Sequence, residues 1–159
     1  AGPPAAAAVL PMDGFHLTRA QLDASEDPEE AHRRRGAPWT FDAHAFVRCV
    51  AELRATGRCV APGFDHGVGD PVEGEVVVTG GEAVVLVEGN YLLLPSAPWG
   101  EVAGLLDESW YVDAPVEVAC GRIERRHVRV GRTPREARER VDTNDRLNAE
   151  LVERESRGR

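Results

Sequence analysis

The amino-acid sequence predicts an α/β fold, a parallel sheet flanked by helices, on three observations. Two valine-containing apolar runs, Val9-Leu10-Pro11-Met12 and Val84-Val85-Leu86-Val87, are each followed by an acid and a glycine: Asp13-Gly14 and Glu88-Gly89. Short continuous apolar runs bounded by glycine read as strands buried on both faces of a parallel sheet. Between and after them lie segments with helical caps and helical spacing, and strands alternating with helices specify parallel pairing. In open sheets of this kind ligands bind just beyond the carboxyl ends of the strands, which places both acids where chemistry occurs.

In chain order, the first strand ends at Asp13 and residues 17–22 form a short helical turn. Residues 25–35 are highly charged, an exposed loop or helix, broken by Gly36-Ala37-Pro38. Asp42 caps the next helix, because a carboxylate there accepts from an otherwise unpaired N–H of the first turn. Phe46, Val50 and Leu53 at i, i+4 and i+7 give that helix one apolar face, and Gly57 ends it. A strand at 59–61 leads into the loop 62–71, residues 75–79 make a short strand, Gly80-Gly81 turns the chain, and 83–87 is the central strand. Residues 99–106 suggest a short helix and 109–112 another strand. Asp113 and Pro115 open a helix that runs to about Val130 and closes at Gly131. Thr133-Pro134-Arg135-Glu136 starts the last helix: Thr as cap, Pro in the first turn, Glu three residues after the cap. It runs to about Glu155, with Val141, Leu147, Leu151 and Val152 apolar.

A length of 159 residues suits one domain with a real core, and 42% hydrophobic with 29% charged residues is a water-soluble composition. The net charge of −8 argues against nucleic acid and against an anionic membrane surface. No run reaches the length of a membrane span, and the opening residues carry no positive charge of the kind that starts a signal peptide, so the expected compartment is the cytoplasm. Cys49, Cys59 and Cys120 have neither zinc spacing nor an even count, and read as small buried thiols. The chain contains no lysine; its 19 basic residues are all arginine. Nine arginines stand against five acids between Arg122 and Arg146, a local anion-binding balance on an acidic body.

Four groups of residues carry possible chemistry. Asp13, at a strand end, suits a base that takes the proton of a hydroxyl attacking a phosphoryl group, and equally suits a cap on the turn through Gly14. Glu88 has the form of an acid ending a Walker B strand, where it organises Mg²⁺, and also that of a solvated acid. Arg122, Arg125, Arg129 and Arg132 share one helix face with Arg126 beside them; such a face closes over a polyphosphate or is simply solvated. Asp65, His66 and Asp70 lie in a glycine-rich loop, suited to substrate hydroxyls or to turn formation. Asn144 and Asn148, one turn apart on a helix that disfavours asparagine, suit hydrogen bonding to a neighbouring loop.

Read together, Pro11-Met12-Asp13-Gly14-Phe15-His16-Leu17, Arg35-Gly36-Ala37-Pro38-Trp39-Thr40-Phe41-Asp42, Pro62-Gly63-Phe64-Asp65-His66, Asp70-Pro71-Val72, Val87-Glu88-Gly89-Asn90-Tyr91-Leu92-Leu93, Asn144-Asp145 and Asn148-Ala149 resemble one family. It is the P-loop small-molecule kinases of the phosphoribulokinase, uridine kinase and pantothenate kinase superfamily, nearest the branch labelled fructose transport system kinase. The segments occur in the family's order and cover nearly the whole chain. His66 and Gly69 depart from that branch, which has arginine and an acid there.

The resemblance implies a P-loop NTPase-like kinase fold over residues 1–159 as a single domain, with a lid helix at about 115–131. It implies Asp13 as catalytic base and Arg126 as the arginine acting on the transferring group. Glu88 becomes the Mg²⁺ acid, and Arg122, Arg125 and Arg129 the phosphate lid. Phe15, His16, Arg35, Asp65, His66, Asn90 and Tyr91 fall at the acceptor pocket. ATP and Mg²⁺ are the implied cofactors, and a small molecule with a hydroxyl (nucleoside, sugar or pantothenate-like) the implied partner. The family's first strand, its GxxxxGK[ST] loop and the following helix have no counterpart in these residues, so the expectation is an N-terminally truncated domain, nearly inactive alone, with an apolar edge that invites a homodimer. The alternative is a non-catalytic binding or regulatory protein that keeps the kinase fold.

Overall fold

The computed structural model describes residues 7–65 and 67–158. Strand β1 (Ala8–Pro11) runs into a 3₁₀ turn, Met12–Phe15. Helix α1 (Arg19–Asp23) starts at a capping box between Thr18 and Gln21. Helix α2 (Pro28–Arg33) starts at Asp27, whose side chain accepts from the Glu30 N–H. A 3₁₀ turn, Pro38–Thr40, precedes α3 (Ala43–Thr56), which Asp42 caps through the Ala45 N–H and Gly57 ends in the left-handed conformation at φ 72°. Caps set these boundaries, at Asp42 and Gly57 as the sequence suggests, and at Thr18 and Asp27 where it named none. Strands β2 (Cys59–Asp65) and β3 (Asp70–Val78) follow, then β4 (Val85–Glu88), a 3₁₀ stretch Trp99–Leu105, and α4 (Val116–Arg129). Helix α5 (Pro134–Arg140) begins at a capping box between Thr133 and Glu136. It passes through a π turn, Val141–Asp145, into α6 (Arg146–Ser156).

β1 and β4 pair in parallel, Ala8 opposite Val85 and Pro11 opposite Glu88. β2 and β3 form an antiparallel hairpin with a bulge between Ala61 and Gly63. Five expectations are corrected here. The apolar strands are buried on one face only: Leu10 is fully buried, while Val9 and Leu86, partners across the ladder, are 51% and 45% exposed. The stretch 62–71 is mostly ladder rather than loop, and the short strand at 75–79 is the end of the longer β3. Residues 109–112 form no strand, because nothing among the described residues pairs with them; Trp110 and Val112 are 78% and 89% exposed. The last helix is interrupted by the π turn.

The core lies between the sheet pieces and α3. Leu10, Met12, Phe46, Val50, Tyr91 and Val102 are its most buried large side chains. Phe41, Phe46, Tyr91 and Trp99 meet with ring centroids 5.7–6.0 Å apart, in the tilted and edge-on arrangements aromatic quadrupoles favour. The three cysteines are buried and free, as expected. Among the described residues no helix is long and apolar enough to cross a membrane.

Candidate active site

The parallel register brings the two acids together. Pro11 faces Glu88, so Asp13 and Glu88 leave the same end of the β1–β4 pair. The glycine after each acid has a packing cause. A methyl on Gly14 would stand 1.8 Å from the Pro62 carbonyl oxygen, and one on Gly89 would stand 2.2 Å from Met12 Cγ. The turn bearing Asp13 thus sits backbone to backbone on β2, and the chain after Glu88 sits on the residue before Asp13. Loss of water at the strand end, then the charge of Asp13, raises the Glu88 carboxyl above its ordinary range. Two carboxylates at one strand end offer oxygen donors suited to a divalent cation, and Mg²⁺ characteristically takes one or two carboxylates with waters and phosphate oxygens completing its shell.

Beside Asp13, His16 Nδ1 donates to the Asp13 carbonyl at 2.7 Å, which fixes a proton on that nitrogen. The imidazole lies between Phe41 (centroids 4.0 Å apart) and Phe64 (4.6 Å). Arg35 clamps the hairpin turn. Its Nη1 donates to the Gly69 carbonyl at 2.6 Å, and its Nη2 donates to the Leu17 carbonyl at 2.9 Å and pairs with Asp70 at 2.8 Å. Its guanidinium also lies over the Phe64 ring, 5.6 Å from the centroid. Burial pushes the Asp70 carboxyl up, but the Arg19 N–H and the Arg35 guanidinium outweigh it and hold it below the usual range.

The other acceptor-side residues divide. Asn90 is exposed just beyond β4, and Asp65 ends β2 opposite Asp70. His66 lies outside the described residues. Phe15 and Tyr91 are in the core rather than on a pocket wall: Phe15 meets Phe46 edge-on, and Tyr91 is fully buried with its O–H donating to the Gly36 carbonyl. Burial raises the Tyr91 phenol, so it stays protonated and acts as a strut.

Arg122, Arg125, Arg126 and Arg129 all lie on α4 and are exposed, and none has an ion pair or side-chain hydrogen bond among the described residues. Arg132 falls beyond the helix end and leaves that face. α4 itself is fixed to the C-terminal helices by half-buried His127, whose Nε2 meets Asp145 Oδ2 at 2.8 Å, and by the Arg146–Glu117 pair. The structure therefore brings Asp13 and Glu88 to one end of the β1–β4 pair, while the arginines lie on α4, which packs against the C-terminal helices.

Asp70, read as suited to substrate hydroxyls or to turn formation, accepts from the Arg19 N–H and from Arg35. Sequence reasoning gave no role to Phe64 or Arg140: Phe64 lies in a motif segment and was open to notice, whereas Arg140, on an otherwise ordinary charged helix, carries no sequence signal. Asn144 and Asn148 bond the neighbouring loop as their helical placement suggested, Asn144 Nδ2 donating to the Arg35 carbonyl at 3.2 Å and Asn148 Nδ2 to the Gly36 carbonyl at 3.3 Å.

A parallel strand pair flanked by helices, with an acid following each strand, is the frame this chain shares with P-loop kinases of known structure. A Silicibacter protein provisionally named a fructose transport system kinase superposes with a TM-score of 0.87 and 32% identity, over 94% of this chain and 71% of that one. YFH7 of Saccharomyces cerevisiae, described provisionally as a P-loop kinase with a circular permutation, superposes at 0.85 with 28% identity, over 96% of this chain and 56% of that one. No family model matches the chain. An ATP-dependent kinase-like protein, notR′ of Aspergillus versicolor, is 44% identical over 148 residues, covering 89% of this chain and 86% of that protein. A Schizosaccharomyces pombe protein provisionally named a uridine kinase is 41% identical over 150 residues, covering 92% of this chain and 64% of that protein. The chain belongs to the family of ATP-dependent, uridine kinase-like P-loop proteins. It spans just under two thirds of the fission-yeast relative and 48% of the YFH7 protein of Zygosaccharomyces rouxii.

Proposed function

We propose that these residues form the acceptor and acid half of a kinase that phosphorylates a hydroxyl of a small molecule of nucleoside, sugar or pantothenate type. One observation supports the reading: in the β1–β4 register Glu88 lies opposite Pro11, so that Asp13 and Glu88 both leave the carboxyl end of the parallel pair. Asp13 takes the proton of the acceptor hydroxyl. Glu88 helps hold the Mg²⁺ that accompanies ATP, and ATP when bound supplies the phosphoryl group. The unpaired arginines Arg122, Arg125 and Arg129 neutralise phosphate oxygens, with Arg126 nearest the group in transfer. His16 and the turn held by Arg35 border the acceptor. The free buried thiols fit a reducing compartment such as the cytoplasm.

We further infer that transfer requires a phosphate loop, since these 159 residues contain no GxxxxGK[ST] and no lysine. That same fact favours the second reading, a binding or regulatory protein on the kinase fold. Calorimetry with Mg-ATP, ADP and phosphate separates the two, combined with fusion of a relative's GxxxxGK[ST] strand–loop–helix unit ahead of Ala1. The kinase reading expects at most millimolar Mg-ATP affinity for the chain alone. It expects phosphotransfer to a hydroxyl acceptor in the fusion, lost in Asp13→Asn. Turnover that survives Asp13→Asn overturns the role of Asp13, and a folded fusion that binds Mg-ATP without transfer to any acceptor class favours the binding protein. The apolar face around Val9 and Leu86 is the surface on which we place a homodimer contact, and sedentation of the chain as a monomer at micromolar concentration would exclude it.

A further inference from the structure

Residues 33–36 form a strap leading out of α2, and its carbonyls accept in succession from side chains of the C-terminal helical segment. Arg140 donates to the Arg33 carbonyl and, at 2.8 Å, to the Arg35 carbonyl. Asn144 Nδ2 donates to the Arg35 carbonyl as well, at 3.2 Å. Asn144 is 1% exposed, and its Oδ1 has no partner among the described residues. Leaving a buried acceptor unpaired is costly, so hydrophobic filling would serve stability better than this asparagine does. The amide stands in the π turn, whose extra residue re-aims the side chains that follow, and π turns concentrate at functional sites.

The same turn touches α4: Asp145 meets His127, and Arg146 pairs with Glu117. On its other side the strap ends in the Arg35 guanidinium, which holds the Gly69 and Leu17 carbonyls and Asp70. Asp70 in turn accepts from the Arg19 N–H at 2.9 Å. A continuous set of hydrogen bonds therefore runs from the arginine helix to the turn beside His16.

We propose that Arg140 and Asn144 are positioning residues: by fixing the Arg35 carbonyl they aim the Arg35 guanidinium, and through it set the hairpin turn that borders the hydroxyl acceptor, in step with the arginine helix. The inference rests on the kinase reading for its purpose but not for its geometry. The chain needs no ligand for the first test, hydrogen exchange on the free protein. The Arg19 amide, bonded to Asp70 and touching neither Arg140 nor Asn144, is the reporter.

In Asn144→Leu and in Arg140→Lys, exchange at Arg19 rises about tenfold, while the Phe46 amide inside α3 stays within about twofold of wild type. Asn144→Asp, which keeps the shape but loses the donor, behaves as Asn144→Leu does and serves if the leucine variant does not fold. A rise shared equally by Arg19 and Phe46 marks a role in stability alone and overturns the inference, as does no rise at Arg19. The second test adds inorganic tripolyphosphate. Wild type gains protection on α4 and also at Arg19, whereas Asn144→Leu gains it on α4 only. Protection on α4 without any at Arg19 in wild type overturns the coupling. Absence of protection on α4 counts against the phosphate role of its arginines, and the free-protein result still decides the positioning role.

Discussion

Gly14→Ala reaches the contact on which the position of Asp13 depends. A methyl at Gly14 would lie 1.8 Å from the Pro62 oxygen, 2.5 Å from the Pro62 carbonyl carbon and 3.1 Å from the Gly63 nitrogen. All three are backbone atoms of β2, held by its pairing with β3. No side chain can swing aside, so the Met12–Phe15 turn and β2 must separate by more than an ångström. Met12 and Phe15, 1% and 6% exposed, then lose their packing. Overpacking of this kind costs about 2–3 kcal/mol, which for a domain of this size lowers Tm by roughly 4–12 °C. Two other glycines grade the argument. Gly89→Ala meets Met12 Cγ at 2.2 Å and Sδ at 2.3 Å, atoms of a flexible side chain, and costs about 1 kcal/mol. Gly104→Ala meets nothing within 4 Å and stays within about 0.5 kcal/mol of wild type. Urea unfolding followed by circular dichroism ranks the three. A Gly14→Ala midpoint equal to that of Gly104→Ala would refute the backbone contact between the Asp13 turn and β2.

The Glu88 carboxyl lies above its ordinary value of 4.5, through partial burial first and the Asp13 charge second. The folded chain therefore binds this proton more tightly than the unfolded one, and its contribution to stability is lost as pH rises through that value and beyond. Glu88→Gln should gain stability over wild type between about pH 4.5 and 7, read as diverging urea midpoints; parallel curves would contradict the placement of Glu88 beside Asp13. Tyr91→Phe removes the bond to the Gly36 carbonyl but keeps the rings of Phe41 and Trp99, and the Gly36 carbonyl keeps Asn148. A loss of about 1 kcal/mol in urea unfolding is expected, and a loss of all folded signal would show that the hydroxyl does more than tie down the strap.

What was legible in the sequence was what is decided locally. Asp42 and Gly57 bound α3, and Thr133 and Glu136 start α5, because caps are contacts between residues three or four apart. The acid–glycine pairs also marked the strand ends, although the contacts that require each glycine, Gly14 on Pro62 and Gly89 on Met12, are remote in sequence. The failures all needed a distant partner. Trp110, Tyr111 and Val112 have strand propensity, but a strand exists only with a ladder beside it, and they have none among the described residues. Pro62 and Gly63 read as loop, yet Gly63 sits in the ladder where a methyl would lie 2.0 Å from Glu75 Oε2. Tyr91 was expected at the acceptor pocket because the family resemblance implied it. Its burial is decided by Phe41, Trp99 and Gly36, far away in the chain. The arginines were visible as a charged face, whereas the π turn that ties their helix to the rest had no local signature.

The ladder between residues 8–11 and 85–88 has a consequence for how this protein comes into being. It is only four residues long on each side, and it closes over everything between its two strands. Contacts so remote in sequence form late, after the helices and the hairpin have shortened the intervening chain. Asp13 leaves the ribosome long before the segment that gives it a neighbour. A nascent or clipped polypeptide ending ahead of residue 85 would hold α3 and the hairpin yet possess no paired carboxylates. The nearness of the two acids thus depends on a short seam of remote contacts, and cleavage that loosens it would part Asp13 from Glu88 while most helices still gave a native spectrum.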